Sequence, residues 1–139
     1  GQTIGGMIED IERCDRSMAA PSRPEIADIR GRLAEARASL ARITQFMLDC
    51  LAADPPVADA AATAYLDILA SVLGGHAMAR AAVVAGHRLD AAAAEPDFYT
   101  AKLATARIYA VAFLSRAGAL ERHIRESAPL IAAYPAPLI

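Results

Sequence analysis

The apolar positions Ile26, Ile29, Leu33, Ala36, Leu40, Ile43, Met47 and Cys50 follow one another at steps of three and four without a break. A strand alternates every second residue and cannot carry that spacing, whereas a helix packed along a seam requires it. Between these positions stand Asp28, Arg30, Arg32, Glu35, Arg37 and Arg42, so one side of the helix meets water. Ser22-Arg23-Pro24-Glu25 reads as a capping box, with Ser22 as N-cap and Glu25 reaching back to it. Asp54-Pro55-Pro56 ends this helix near Ala53 and opens the next, with Asp54 as N-cap and Pro55 in the first turn.

The same period predicts three further helices. Met7, Ile11, Cys14 and Met18 mark a short one that Ala19-Ala20-Pro21 ends. Ala61, Tyr65, Ile68, Val72, Gly75, Ala79 and Ala82 stripe a helix reaching about Leu89. Gly74-Gly75 in its middle costs about 1 kcal/mol per glycine relative to alanine. A neighbouring helix crossing too closely for a Cβ is the simplest compensation. His76, the next residue, reads as a core or interface histidine, with a ligand or catalytic base as the alternative. Residues 90–95 form a loop, and Pro96 begins a helix continuing to about Ser127.

The fold class is therefore all-α: an up-and-down bundle of three long helices plus a shorter N-terminal one, in a single domain over 1–139. Each long helix runs to roughly 30 residues, or about 45 Å.

The stretch from Asp97 to Ala119, DFYTAKLATARIYAVAFLSRAGA, is apolar or small on nearly every face, and Arg107 is the only charge between Leu103 and Ser115. A helix apolar all round must be covered by protein or lipid, so this stretch reads as the one the others surround. Matching heights along antiparallel and parallel neighbours pair Arg116 with Asp67 and Arg107 with Glu35. The tail over 128–139, interrupted by Pro129, Pro135 and Pro137, folds back on the bundle, docks on a partner or is disordered.

Hydrophobic residues make up 55% of the chain and the mean hydropathy is +0.28, high for a free domain and suggestive of a hidden apolar face. A net charge of −2 and a pI near 5.9 argue against a nucleic-acid binder, which needs a basic stripe. Cys14 and Cys50 sit in different helices with no CxxC or Cys/His cluster, which reads as two reduced thiols of a cytoplasmic protein. The N-terminus lacks the basic and apolar regions of a signal peptide. Residues 57–79 carry Asp59, Asp67 and His76 and are a poor membrane span. Gly5-Gly6 reads as a flexible start, in keeping with a piece of a longer chain.

No catalytic constellation is complete. A di-metal bundle needs Glu-x-x-His pairs, and His123 with Glu126 gives only the reverse order on a charged helix end. Haem attachment, phosphate-binding loops and the Gly-x-Ser-x-Gly elbow are missing, and Ser39, Ser71 and Ser115 lie mid-helix without a base. His76, His87 and His123 are far apart along the chain.

From Pro96 the sequence DFYTAKLATARIYA resembles the "fyxaKlatArfYa" helix near the C-terminus of a bacterial branch of acyl-CoA dehydrogenases. That branch carries an extra helical domain and includes the 3-methylmercaptopropionyl-CoA dehydrogenases. Tyr65-Leu66, Gly74-Gly75 and Ala79-Arg80 resemble the same domain's "YLxLfGxvxgGwxxAr" helix, and Gly5-Gly6 with Met7 to Ile11 its entry segment. Two departures stand out: His76 where the family often has an aromatic, and Leu114-Ser115 where it has Leu-Pro, which lets the helix continue straight.

The resemblance implies an appended structural or oligomerisation domain of a flavoenzyme whose earlier domains bind FAD and oxidise acyl-CoA thioesters to 2-enoyl-CoA. It implies no catalytic, cofactor or metal residue in this chain. Tyr65, Gly74, Gly75, His76, Phe98, Tyr99, Lys102, Thr105, Arg107 and Tyr109 become packing or interface positions. The implied partners are the parent's catalytic domains and further copies of the chain. The alternative is a stand-alone helical interaction module.

Overall fold

The computed structural model describes residues 3–17, 23–92 and 94–135. Its helices are α1 (Ile4–Ser17), α2 (Pro24–Ala53), α3 (Pro55–Asp90), α4 (Pro96–Ala112) and α5 (Ala117–Ala132), with a single 3-10 turn, Leu114–Arg116, joining the last two. There is no strand among the described residues. Proline at the first or second position opens α2, α3 and α4, where its missing N–H costs nothing. Asp54 is the N-cap of α3, as its position predicts, although its side chain makes no capping hydrogen bond. Ser22 lies outside the described residues, and Arg23 occupies the N-cap position of α2.

Side-chain bridges fix the directions. Arg23 at the start of α2 pairs with Asp90 at the end of α3 at 2.9 Å, and Thr44 meets Tyr65 at 3.0 Å, so these two helices are antiparallel. Tyr109 on α4 reaches Ser71 on α3. Arg42 and Phe46 of α2 meet Glu121 and Arg125 of α5, which makes α5 parallel to α2. Arg30 to Asp15 and Arg37 to Glu12 lay α1 antiparallel along α2. The result is an up-down-up bundle with α1 on its flank.

The periodic stripes form the core. Seven α2 positions from Ile26 to Met47, and seven on α3 from Ala61 to Ala82, are buried as their spacing predicts. Ile29, Leu40, Ile43, Ile68 and Val72 have no solvent contact, or almost none.

Three expectations fail. The helix the others surround is α3, which packs on α2, α4 and α5, whereas α4 buries only Leu103, Ala106 and Ala110. The third rod is interrupted, because Leu114 turns inward against Gly75 and the Ser115 hydroxyl donates to the Ala110 carbonyl at 3.4 Å. A break therefore occurs here without a proline. Neither Arg107–Glu35 nor Arg116–Asp67 forms an ion pair among the described residues. Arg116 and Asp67 stand at one level without pairing, whereas Glu35 lies level with Leu114 to Gly118, further along the bundle than Arg107.

By length and composition α3 is apolar enough to cross a membrane; in the fold its stripe is taken up by three other helices. In the tail, α5 continues through Pro129 to Ala132 with Ala128 buried and Leu130, Ile131 and Tyr134 exposed. Residues 136–139 lie outside the described residues.

Candidate functional site

The α3–α4 crossing gathers most of the sequence-predicted positions. A Cβ on Gly74 would stand 2.8 Å from Tyr109 Cζ, and one on Gly75 would stand 2.5 Å from Leu114 Cδ2. Real Cβ atoms do not approach so closely, so both glycines are there for the neighbour's side chain. Tyr109 donates to the Ser71 carbonyl at 3.2 Å and stacks on Phe113 with ring centroids 4.7 Å apart. Partial burial pushes the Tyr109 phenol above its usual range.

One turn along, Phe98, Tyr99 and Lys102 of α4 face Ala77, Arg80, Ala81 and Val84 of α3 across an open hollow of about 390 Å³. Lys102 Nζ lies 5.3 Å from the Phe98 ring centroid, within cation–π range. A second hollow, about 740 Å³, separates α1 from the end of α2 and is lined by Ile8, Glu9, Glu12, Met47, Leu48 and Leu51.

Tyr65 is not part of the crossing. It is buried toward α2, and because Thr44 Oγ1 donates to Leu40 O at 2.7 Å, the Tyr65 hydroxyl is the donor in their shared bond. Thr105 donates to the Ala101 carbonyl of its own helix, and Arg107 is exposed. His76 is half-buried, with Nδ1 inaccessible and unpartnered. Burial holds its imidazole below the ordinary range, Arg80 pushes the same way, and Asp15 opposes them. No group of three or more His, Cys, Asp or Glu side chains is placed to hold a metal among the described residues.

The outer face of α4 is left uncovered. Phe98, Ile108 and Val111 are 51%, 68% and 52% exposed. At 100° per residue they lie on one broad arc with Ala101, Ala104, Thr105 and Ala112. Lys102 borders the arc toward α3, Arg107 borders it on the far side, and Asp97 stands at its N-terminal end. The all-round apolarity of the segment was the available signal; it showed a need for cover without showing that this chain leaves part of it uncovered.

The family model for acetyl-CoA dehydrogenase C-terminal-like domains matches residues 4–135. The chain belongs to this family. Comparison with curated proteins and with solved structures returns no match. The match takes in every helix of the acetyl-CoA dehydrogenase C-terminal-like domain described above, so the bundle and the family unit coincide.

Of the two hollows, the larger is lined by Glu9 and Glu12 together with Gly5 at the start of α1, and the smaller by Arg80 and Lys102.

Proposed function

We propose that this domain is the appended, non-catalytic C-terminal unit of an FAD-dependent acyl-CoA dehydrogenase of the 3-methylmercaptopropionyl-CoA dehydrogenase-like branch. Its role is to stabilise the catalytic body and its homo-oligomer in the cytoplasm. The observation that carries the reading is the match over 4–135 on a bundle held by close packing, with Tyr109 and Leu114 filling the space beside Gly74 and Gly75. FAD, the acyl-CoA thioester and the proton-abstracting carboxylate belong to the preceding domains in this reading. The uncovered α4 face supports it, since monomeric domains rarely expose contiguous apolar area of this kind.

The test is removal of these residues from the parent polypeptide. The truncated enzyme is expected to keep its flavin absorbance and its bleaching by acyl-CoA, and to lose thermal stability or oligomeric order. Loss of flavin reduction in a truncated body that remains folded would contradict a purely structural role. The alternative, a stand-alone interaction module, draws on the same exposed face; a reading frame that does not continue into a dehydrogenase upstream of Gly1 would favour it.

A further inference from the structure

The ion pairs of this domain are distributed unevenly. Most of those among the described residues lie on α1, α2 and α5, as in Arg13–Asp10, Arg30–Asp15, Arg37–Glu12 and Arg42–Glu121, while Arg23–Asp90 ties the start of α2 to the end of α3. Arg80, Lys102, Arg107 and Arg116, on α3, α4 and the turn after them, form none among the described residues. Asp67 shares a shallow hollow with Arg116 without pairing with it. The same side of the molecule exposes Phe98, Ile108 and Val111 of α4 and Val84 of α3. Exposed apolar side chains and cations that form no ion pair among the described residues thus coincide on the α3–α4 side of the molecule.

From this coincidence we infer that the outer arc of α4, with the adjoining edge of α3, is the surface by which the domain seats on its dehydrogenase body. The body's facing surface is apolar with carboxylates placed against Lys102 and Arg107. This rests on the reading that the domain is appended to such a body. Covalent attachment then keeps the body at high effective concentration, so it outcompetes free proteins and lipid for the face. An apolar centre with charges at the rim is the usual anatomy of a protein interface, and the rim charges fix orientation more than affinity.

Thiol accessibility tests it. Ile108→Cys, Leu48→Cys and Leu130→Cys are each introduced, with Cys14 and Cys50 replaced by serine, into this chain and into the parent polypeptide. All three positions are exposed here, so the substitutions leave the core intact. The thiol at 108 is expected to react at least tenfold more slowly in the parent than in the isolated chain. Arg107→Glu or high salt in the parent is expected to restore part of the rate. Equal rates at 108, with slowing at 48 or 130, overturn this choice of face and leave the appended-domain reading standing. No slowing at any position overturns that reading too. Protection at 108 that appears only with phosphatidylglycerol vesicles, or only as the isolated chain is concentrated, assigns the face to lipid or to a second copy and overturns the proposal.

Discussion

Gly75 on α3 and Leu114 in the 3-10 turn occupy one volume between them: a Cβ on the glycine would lie 2.5 Å from Leu114 Cδ2 and 3.2 Å from its Cγ. Leu114 is itself buried, so it has nowhere to retreat. The glycine pair that weakens α3 locally is what lets the third rod lie against it, and the interruption of that rod follows from the same contact.

Alanine at Gly75 is therefore expected to destabilise the domain. Overpacking costs about 1–3 kcal/mol, against a gain of about 1 kcal/mol in helix propensity. Gly31 and Gly118 have nothing within 4 Å of where a Cβ would stand, so Gly31→Ala and Gly118→Ala are expected to stabilise by about 0.5–1 kcal/mol. Chemical denaturation of the three variants checks the opposite signs.

Glu121 is the main polar tie between α5 and α2. Arg42 grips it through two nitrogens at 2.9 and 2.7 Å. The hydrogen bonds from Arg42 hold the Glu121 carboxyl below its ordinary range, with a contribution from Ser39. The folded state thus binds the proton less readily than the unfolded one. The stabilisation is full above the ordinary glutamate pKa of about 4.3 and fades as pH falls through the lowered value. Glu121→Gln is expected to cost about 1 kcal/mol at pH 7, because Arg42 remains largely hydrated, and to flatten the acid limb of a stability–pH curve.

His76 has the complementary effect near neutrality. Its imidazole is held below the ordinary range, first by burial and then by Arg80, so the unfolded chain takes up a proton the folded chain resists. Above about pH 6.5 the residue contributes no pH dependence. Below that, stability declines with a slope of at most about 1.4 kcal/mol per pH unit. His76→Phe should remove the slope between pH 6.5 and 5.5. Melting temperatures measured across that window in both proteins decide it.

Tyr65→Phe removes the hydroxyl that donates to Thr44 between α2 and α3. A loss of about 0.5–1.5 kcal/mol is expected, with the helical content unchanged by circular dichroism.

The all-α bundle and most of its core were legible because the α2 and α3 seams repeat at helical spacing, and every predicted position from Ile26 to Met47 and from Ala61 to Ala82 is buried. What escaped was stagger and orientation around an axis. Arg116 sits at the right height for Asp67 without pairing with it, and Glu35 stands level with Leu114 to Gly118 instead of Arg107; a one-dimensional reading fixes neither the stagger of two helices nor which way a side chain points. The α4 segment misled for a related reason: all-round apolarity gives equal weight to cover from this chain and cover from elsewhere. The interruption at Leu114–Arg116 was invisible because it depends on a contact with Gly75 some forty residues away, and Ser115 carries no proline-like signal.

The most direct measurement is the visible absorption spectrum of the purified chain after incubation with FAD, gel filtration, and addition of an acyl-CoA thioester with an electron acceptor. The account predicts no flavin band in the protein fraction and no acceptor reduction. A protein that elutes yellow, with stoichiometric FAD bleached by the thioester, would contradict it.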